Sequence, residues 1–128
     1  MAISFTVKTH IQATPEEIYS AWLDGNKHGK MIGAEATGKA EVGSEFTAWD
    51  GYISGRNLEL VPNKKIVQAW RTIEFMDDDK DSHLEIHLSA DKKGCKLTLI
   101  HTNIPENQPD YEQCWADNYF DPMKEYFQ

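Results

Sequence analysis

The sequence predicts an α+β domain in which a curved antiparallel sheet of about six strands wraps a long C-terminal helix, with one or two short helices after the first strand. Three observations carry that expectation. Residues 3–11 alternate between a mainly apolar and a polar face. The stretch from Gly33 to Asn103 is a succession of short strand patterns and turns. The end of the chain carries a broad aromatic stripe at helical spacing.

In the first strand Ile3, Phe5, Val7, Thr9 and Ile11 face one way, and Ser4, Thr6, Lys8 and His10 the other. A period of two over this length marks a half-buried strand. Thr14-Pro15-Glu16-Glu17 follows. Thr14 can cap a helix, Pro15 suits the first helical position because its missing N–H goes unused there, and Glu17 can close a capping box. Ile18, Tyr19, Trp22 and Leu23 continue at helical steps, so a helix of about ten residues should stop near Asp24-Gly25. A short second helical turn fits Asn26–Ile32.

Glu35–Ala40, Glu45–Trp49, Gly51–Leu60 and Lys64–Ile73 read as four short strands. Pro62 and Asn63 make a turn between the last two. Asp77-Asp78-Asp79-Lys80-Asp81 is a charged turn. Leu84, Ile86 and Leu88 then alternate with His83, Glu85 and His87, and Asp91-Lys92-Lys93-Gly94 forms a hairpin in which Gly94 takes a positive φ. Cys95–Asn103 is the last strand. Ile104–Pro109 leads into the final helix, where Tyr111, Cys114, Trp115, Asn118, Tyr119, Met123, Tyr126 and Phe127 share a face. Pro122 lies inside that helix and should kink or locally unwind it. A meander of this many strands must curl, and the aromatic helix is the natural filler of its concave side.

The 128 residues suit one domain over 1–128, with 40% hydrophobic and 27% charged residues, which are globular values. The net charge of −8 argues against nucleic acid and against an anionic membrane surface, both of which recruit Lys and Arg. No apolar run approaches the ~20 residues a membrane helix needs, and the N-terminus has no signal-peptide pattern, so a cytoplasmic location is expected. In that compartment Cys95 and Cys114 would stay reduced, and their spacing matches no zinc site.

The segment Asp50-Gly51-Tyr52-Ile53-Ser54-Gly55, followed by Leu60-Val61-Pro62-Asn63-Lys64-Lys65-Ile66-Val67-Gln68-Ala69-Trp70-Arg71, resembles the DG-x-x-SG…L-x-P-x-x-x-IV-x-x-WR pattern of proteins similar to the C-terminal domain of the activator of heat-shock protein 90 ATPase. The Thr14–Tyr19 helix start and the Ile104-Pro105 step before Trp115…Tyr119-Phe120 also resemble that family. The resemblance covers essentially the whole chain. It implies the START-like (SRPBCC, birch-pollen-allergen-like) superfamily and its helix-grip fold, usually with a hydrophobic cavity between sheet and helix.

His83, Glu85 and His87 project from one strand face about 6–7 Å apart, and imidazole and carboxylate are metal-ligand types. Leu84, Ile86 and Leu88 have the better claim on the interior, so the triplet is read as an exposed polar face and no metal is expected; the face of His101 is left open. Trp70 is expected in the core, with Arg71 outside and paired to an acid such as Glu74 or Glu59. Asp50-Gly51 and Ser54-Gly55 are turn and bulge chemistry, and Ser54 has no base beside it. No paired-carboxylate, Ser/His/Asp, Cys/His or phosphate-loop pattern emerges, so neither catalytic residues nor a cofactor are assigned.

The candidate cavity wall comprises Trp22, Trp70, Phe75, Trp115 and Met123, with Tyr52, His101 and Tyr119 as polar contributors. The functional expectation is a non-enzymatic module binding a small hydrophobic ligand, with a stress-related role suggested by the resemblance. The alternative is a protein-interaction module that binds and stimulates a chaperone of the heat-shock protein 90 type. A third reading is a cyclase- or hydrolase-like enzyme using the same cavity.

Overall fold

The computed structural model describes residues 2–127. Strand β1 (Ile3–Ile11) leads into helices α1 (Pro15–Leu23) and α2 (Gly25–Ile32). Strands β2 (Glu45–Ala48), β3 (Ile53–Val61), β4 (Lys65–Thr72), β5 (Ser82–Asp91) and β6 (Gly94–Ile104) follow. They form one antiparallel sheet in the order β1-β6-β5-β4-β3-β2. The chain ends in a helical run of three consecutive pieces: α3 (Tyr111–Trp115), a π turn (Ala116–Phe120) and α4 (Asp121–Tyr126). Among the described residues no helix is long and apolar enough to cross a membrane.

The capping box at α1 is complete. Thr14 Oγ1 accepts from the Glu17 N–H at 3.1 Å, and Glu17 Oε1 accepts from the Thr14 N–H at 3.0 Å. Asp24 ends α1 and caps α2, its carboxylate accepting from the Lys27 N–H at 3.1 Å. The second helical turn is therefore a full helix, begun one residue earlier than the sequence suggested. The Pro62-Asn63 turn closes with Lys64 N–H donating to the Val61 carbonyl at 3.0 Å, and Asn63 takes φ 63°, as the second central residue of a type II turn must. Gly94 takes φ 142°, and a Cβ there would collide with the Ile11 carbonyl.

Glu35–Ala40 is not a strand. A single bridge joins Thr37 to Thr47, with both backbone bonds and a 2.8 Å hydroxyl contact. The segment's other polar groups are drawn to separate partners: Glu35 to Asp50, and Gly38 to the start of α2 through the Gly25 N–H. With its hydrogen bonds divided between helix and turn, it cannot continue a ladder. The sheet accordingly has six strands in all.

The concave face buries Leu84, Ile86, Leu97 and Leu99 under α1 and the C-terminal helical run, with Ile18, Trp22, Trp115 and Met123 in the same core. Each side chain of this size contributes about 1.5–3 kcal/mol on burial. His83, Glu85 and His87 lie on the opposite, convex face, where Glu85 accepts from both imidazoles at 3.0 Å. His101 points into the concave core and does not join them.

Pro122 locally unwinds the helical run without ending it. The turn before it widens, with the Asp121 N–H bonding back five residues to Ala116. The proline then falls in the first turn of α4, where its missing N–H and ring are tolerated.

Candidate functional site

Between the end of β2, the sheet and the last helix lies a cavity of 310 Å³, at the lower end of the range for small-molecule sites. Its floor is Trp70 of β4 and Ile53 of β3; its far wall is Tyr111, Trp115 and Tyr119. Trp49 and Tyr52 close one side, and the exposed Asn118 and half-buried Cys114 mark the mouth.

Of the residues named from sequence, Tyr52, Trp70, Trp115 and Tyr119 line this space. Trp22, Phe75, His101 and Met123 are buried in the core behind it. Trp22 packs on Tyr119 at 5.1 Å between ring centroids, and Phe75 on Trp70 at 6.4 Å. Trp49 and Tyr111 were not among the sequence candidates. Tyr111 was visible in the aromatic stripe, one turn before Trp115. Trp49 gave no signal, because its placement depends on backbone geometry.

That geometry is unusual. Trp49, Asp50 and Gly51 take φ values of 52°, 58° and 94° in succession. Left-handed backbone is uncommon for a bulky residue and costs on the order of 1–3 kcal/mol. Asp50 holds it in place: its N–H donates to the Glu35 carbonyl at 3.0 Å, and its carboxylate accepts from the Glu35 N–H at 2.9 Å. The turn swings the Trp49 ring off the strand path and against the cavity.

Three polar chains stiffen the walls. In the first, Trp115 Nε1–H donates to His101 Nδ1 at 3.1 Å, His101 Nε2–H donates to Ser82 Oγ at 2.8 Å, and Ser82 O–H donates to the Trp70 carbonyl at 2.7 Å. Burial holds the His101 pKa down to about 3, with His83 adding a smaller repulsion. In the second, His28 Nδ1–H donates to the Trp22 carbonyl at 2.8 Å, and Tyr119 O–H donates to His28 Nε2 at 2.9 Å. Burial lowers the His28 pKa and raises that of Tyr119. In the third, behind the far wall, Tyr111 O–H donates to Gln108 at 2.8 Å while the Thr72 hydroxyl donates to Tyr111 at 2.6 Å. Beside it Tyr52 O–H donates to Glu74 at 3.3 Å.

Further from the cavity, Trp22 Nε1–H donates to Gln68 at 3.3 Å, Gln68 donates to Asn57 at 2.8 Å, and Asn57 donates to the carbonyls of Lys39 and Glu41 at 2.9 and 3.0 Å. The core is thereby tied to the segment before β2.

Arg71 does not pair with Glu74 or Glu59. It binds Asp81 at 2.9 Å and the carbonyls of Met76 and Asp79, so it fastens the β4–β5 loop. Glu59 is taken by Lys65 at 2.8 Å. The sequence placed Arg71 on the correct face but missed a partner ten residues on, which only the folding-back of the acidic loop brings near. Among the described residues no group of three or more His, Cys, Asp or Glu side chains has a metal-binding arrangement.

The family model for "Activator of Hsp90 ATPase homolog 1-like protein" matches residues 12–128. The chain is 31% identical over 125 residues to the human activator of 90 kDa heat shock protein ATPase homolog 1, covering 95% of this chain and 36% of that protein. It is 29% identical over 123 residues to the homologue from Dictyostelium discoideum, covering 94% of this chain and 32% of that one. The chain thus spans about a third of the length of these relatives. Among solved structures it superposes on an HSP90 activator from Plasmodium falciparum with TM-score 0.85 and 25% identity, covering 97% of this chain and 95% of that one. The Aha1 dimer from Colwellia psychrerythraea superposes with TM-score 0.80 at 19% identity, covering 98% and 96%, which bears on the fold alone.

Proposed function

The chain belongs to the family of Activator of Hsp90 ATPase homolog 1-like proteins, and on that premise we propose that it is a binding module for a chaperone of the heat-shock protein 90 type. One observation carries this reading: the identity to relatives named as activators of that ATPase extends over 94–95% of the chain. The fold alone would not suffice, since one fold hosts many activities. Titration against the heat-shock protein 90 type chaperone of the same source tests it. Saturable complex formation is expected, and absence of any complex by calorimetry and sedimentation sinks it.

A second reading is favoured by the cavity between Trp49 and Trp115. Its size and aromatic lining suit a small, largely apolar molecule. The two readings are compatible, because the cavity lies under the last helix and leaves most of the outer surface for a protein partner. The lining offers no acid–base pair, which favours binding over catalysis.

A further inference from the structure

We propose that the Trp49–Trp115 cavity takes a small organic cation whose ammonium head carries alkyl groups. The inference rests on the second reading above, that the cavity is a ligand site, and adds the charge of its occupant.

Six of the nine lining residues are aromatic: Trp49, Tyr52, Trp70, Tyr111, Trp115 and Tyr119. The other three are Ile53, Cys114 and Asn118, so no Lys, Arg or His reaches the space. A ring face carries negative charge density, and indole is the strongest such partner for a cation. An alkylated ammonium, weakly hydrated and without a full set of N–H donors, gains from the rings and loses little by leaving water.

Glu74 supplies a formal charge one hydrogen bond behind the lining, through Tyr52. Its carboxylate accepts from the Tyr52 hydroxyl at 3.3 Å, and among the described residues it has no ion-pair partner. Of the cations on the neighbouring loop, Arg71 is engaged by Asp81 and two loop carbonyls. The field of Glu74 reaches inward and contributes to the raised pKa values of Tyr52 and Tyr111, behind burial as the main cause.

Anions fare badly by the same reasoning. The donors of the lining are uncharged, so an anion would meet no formal positive charge there. The net charge of −8 also draws cations toward the protein. The volume of 310 Å³ matches the liquid volume of about ten waters, which fits a compact head group with a short tail and excludes a two-chain lipid.

The test compares choline with its uncharged carbon isostere, 3,3-dimethylbutan-1-ol, by tryptophan fluorescence and calorimetry on the full chain. Choline should bind about tenfold more tightly or better. Glu74→Gln keeps an acceptor for Tyr52 and removes the charge; it should weaken choline about twofold to fivefold, the modest effect of an exposed carboxylate, and leave the isostere unchanged. Trp49→Leu, checked for folding by thermal melt, should weaken choline by a larger factor. Equal affinity for the two probes overturns the cation inference and leaves the ligand-site reading standing. No binding of either probe overturns both. Choline binding that neither variant alters places the probe elsewhere and overturns the inference.

Discussion

The Trp115 indole donates to Nδ1 of His101 at 3.1 Å, and this contact sets the tautomer of a fully buried imidazole. Indole nitrogen can only donate, so Nδ1 must be bare. Ser82 donates its own O–H to the Trp70 carbonyl, so His101 must keep its proton on Nε2. One neutral tautomer satisfies the whole chain, and a second proton on the ring would break it.

Stability should therefore fall in mild acid. In the unfolded chain His101 takes up a proton near the ordinary histidine value of 6.5, whereas in the folded chain it does so only at about 3. Its contribution is fully present above about pH 6.5 and is lost progressively as pH falls toward 3, with a slope of up to about 1.4 kcal/mol per unit. His28, also depressed by burial, acts in the same direction. Urea midpoints at about pH 7.5 and about pH 5 measure this before the depressed carboxylates Glu85 and Asp91 contribute. A midpoint unchanged between them contradicts the assignment, and His101→Gln should flatten the slope.

Gly55, opposite Trp70 in the β3–β4 pair, should tolerate no side chain. A Cβ there would collide with the Ala69 carbonyl and lie 2.6 Å from Cζ of Phe46. Gly55→Ala should cost about 3 kcal/mol or more through overpacking against backbone. Gly43→Ala, with nothing within 4 Å but φ 88°, should cost only about 1–2 kcal/mol. Paired chemical denaturation curves decide whether the two glycines rank this way.

Pro122→Ala is expected to change stability by less than about 1 kcal/mol. A proline forced into a helix interior costs about 3 kcal/mol relative to alanine, but here the π turn has moved it to the first turn of α4. A gain near 3 kcal/mol in the variant would mean that the π turn does not relieve the strain.

Gln68→Leu should destabilise by about 2–4 kcal/mol, because it orphans both the Trp22 indole N–H and Asn57 Oδ1 in the interior. Hydrogen exchange should also rise between residues 39 and 44, since Asn57 anchors that segment through the Lys39 and Glu41 carbonyls. Unchanged exchange there would show that the segment is held without the chain of amides.

The elements that obey one local rule were legible in the sequence. Thr14, Pro15 and Glu17 announce α1, and the alternation of Leu84, Ile86 and Leu88 sets which face of β5 is buried. Glu35–Ala40 misled because its composition suits a strand while its hydrogen bonds go to Asp50, Thr47 and Gly25, which are set by the tertiary fold. The same limit applies at the cavity. Trp70 and Trp115 follow from periodicity. Trp49 does not, because three successive positive φ values reverse the direction that strand alternation would assign. His101 carried no sign of its face until its pairing with Leu84 and Phe5 was fixed.

Engagement of a heat-shock protein 90 type chaperone, proposed above, should show in the ATP turnover of that chaperone. Adding the protein should raise the chaperone's turnover in a saturable way, and heat-unfolded protein should not. Turnover that stays at its basal value at saturating protein, with no complex formed, would contradict that engagement.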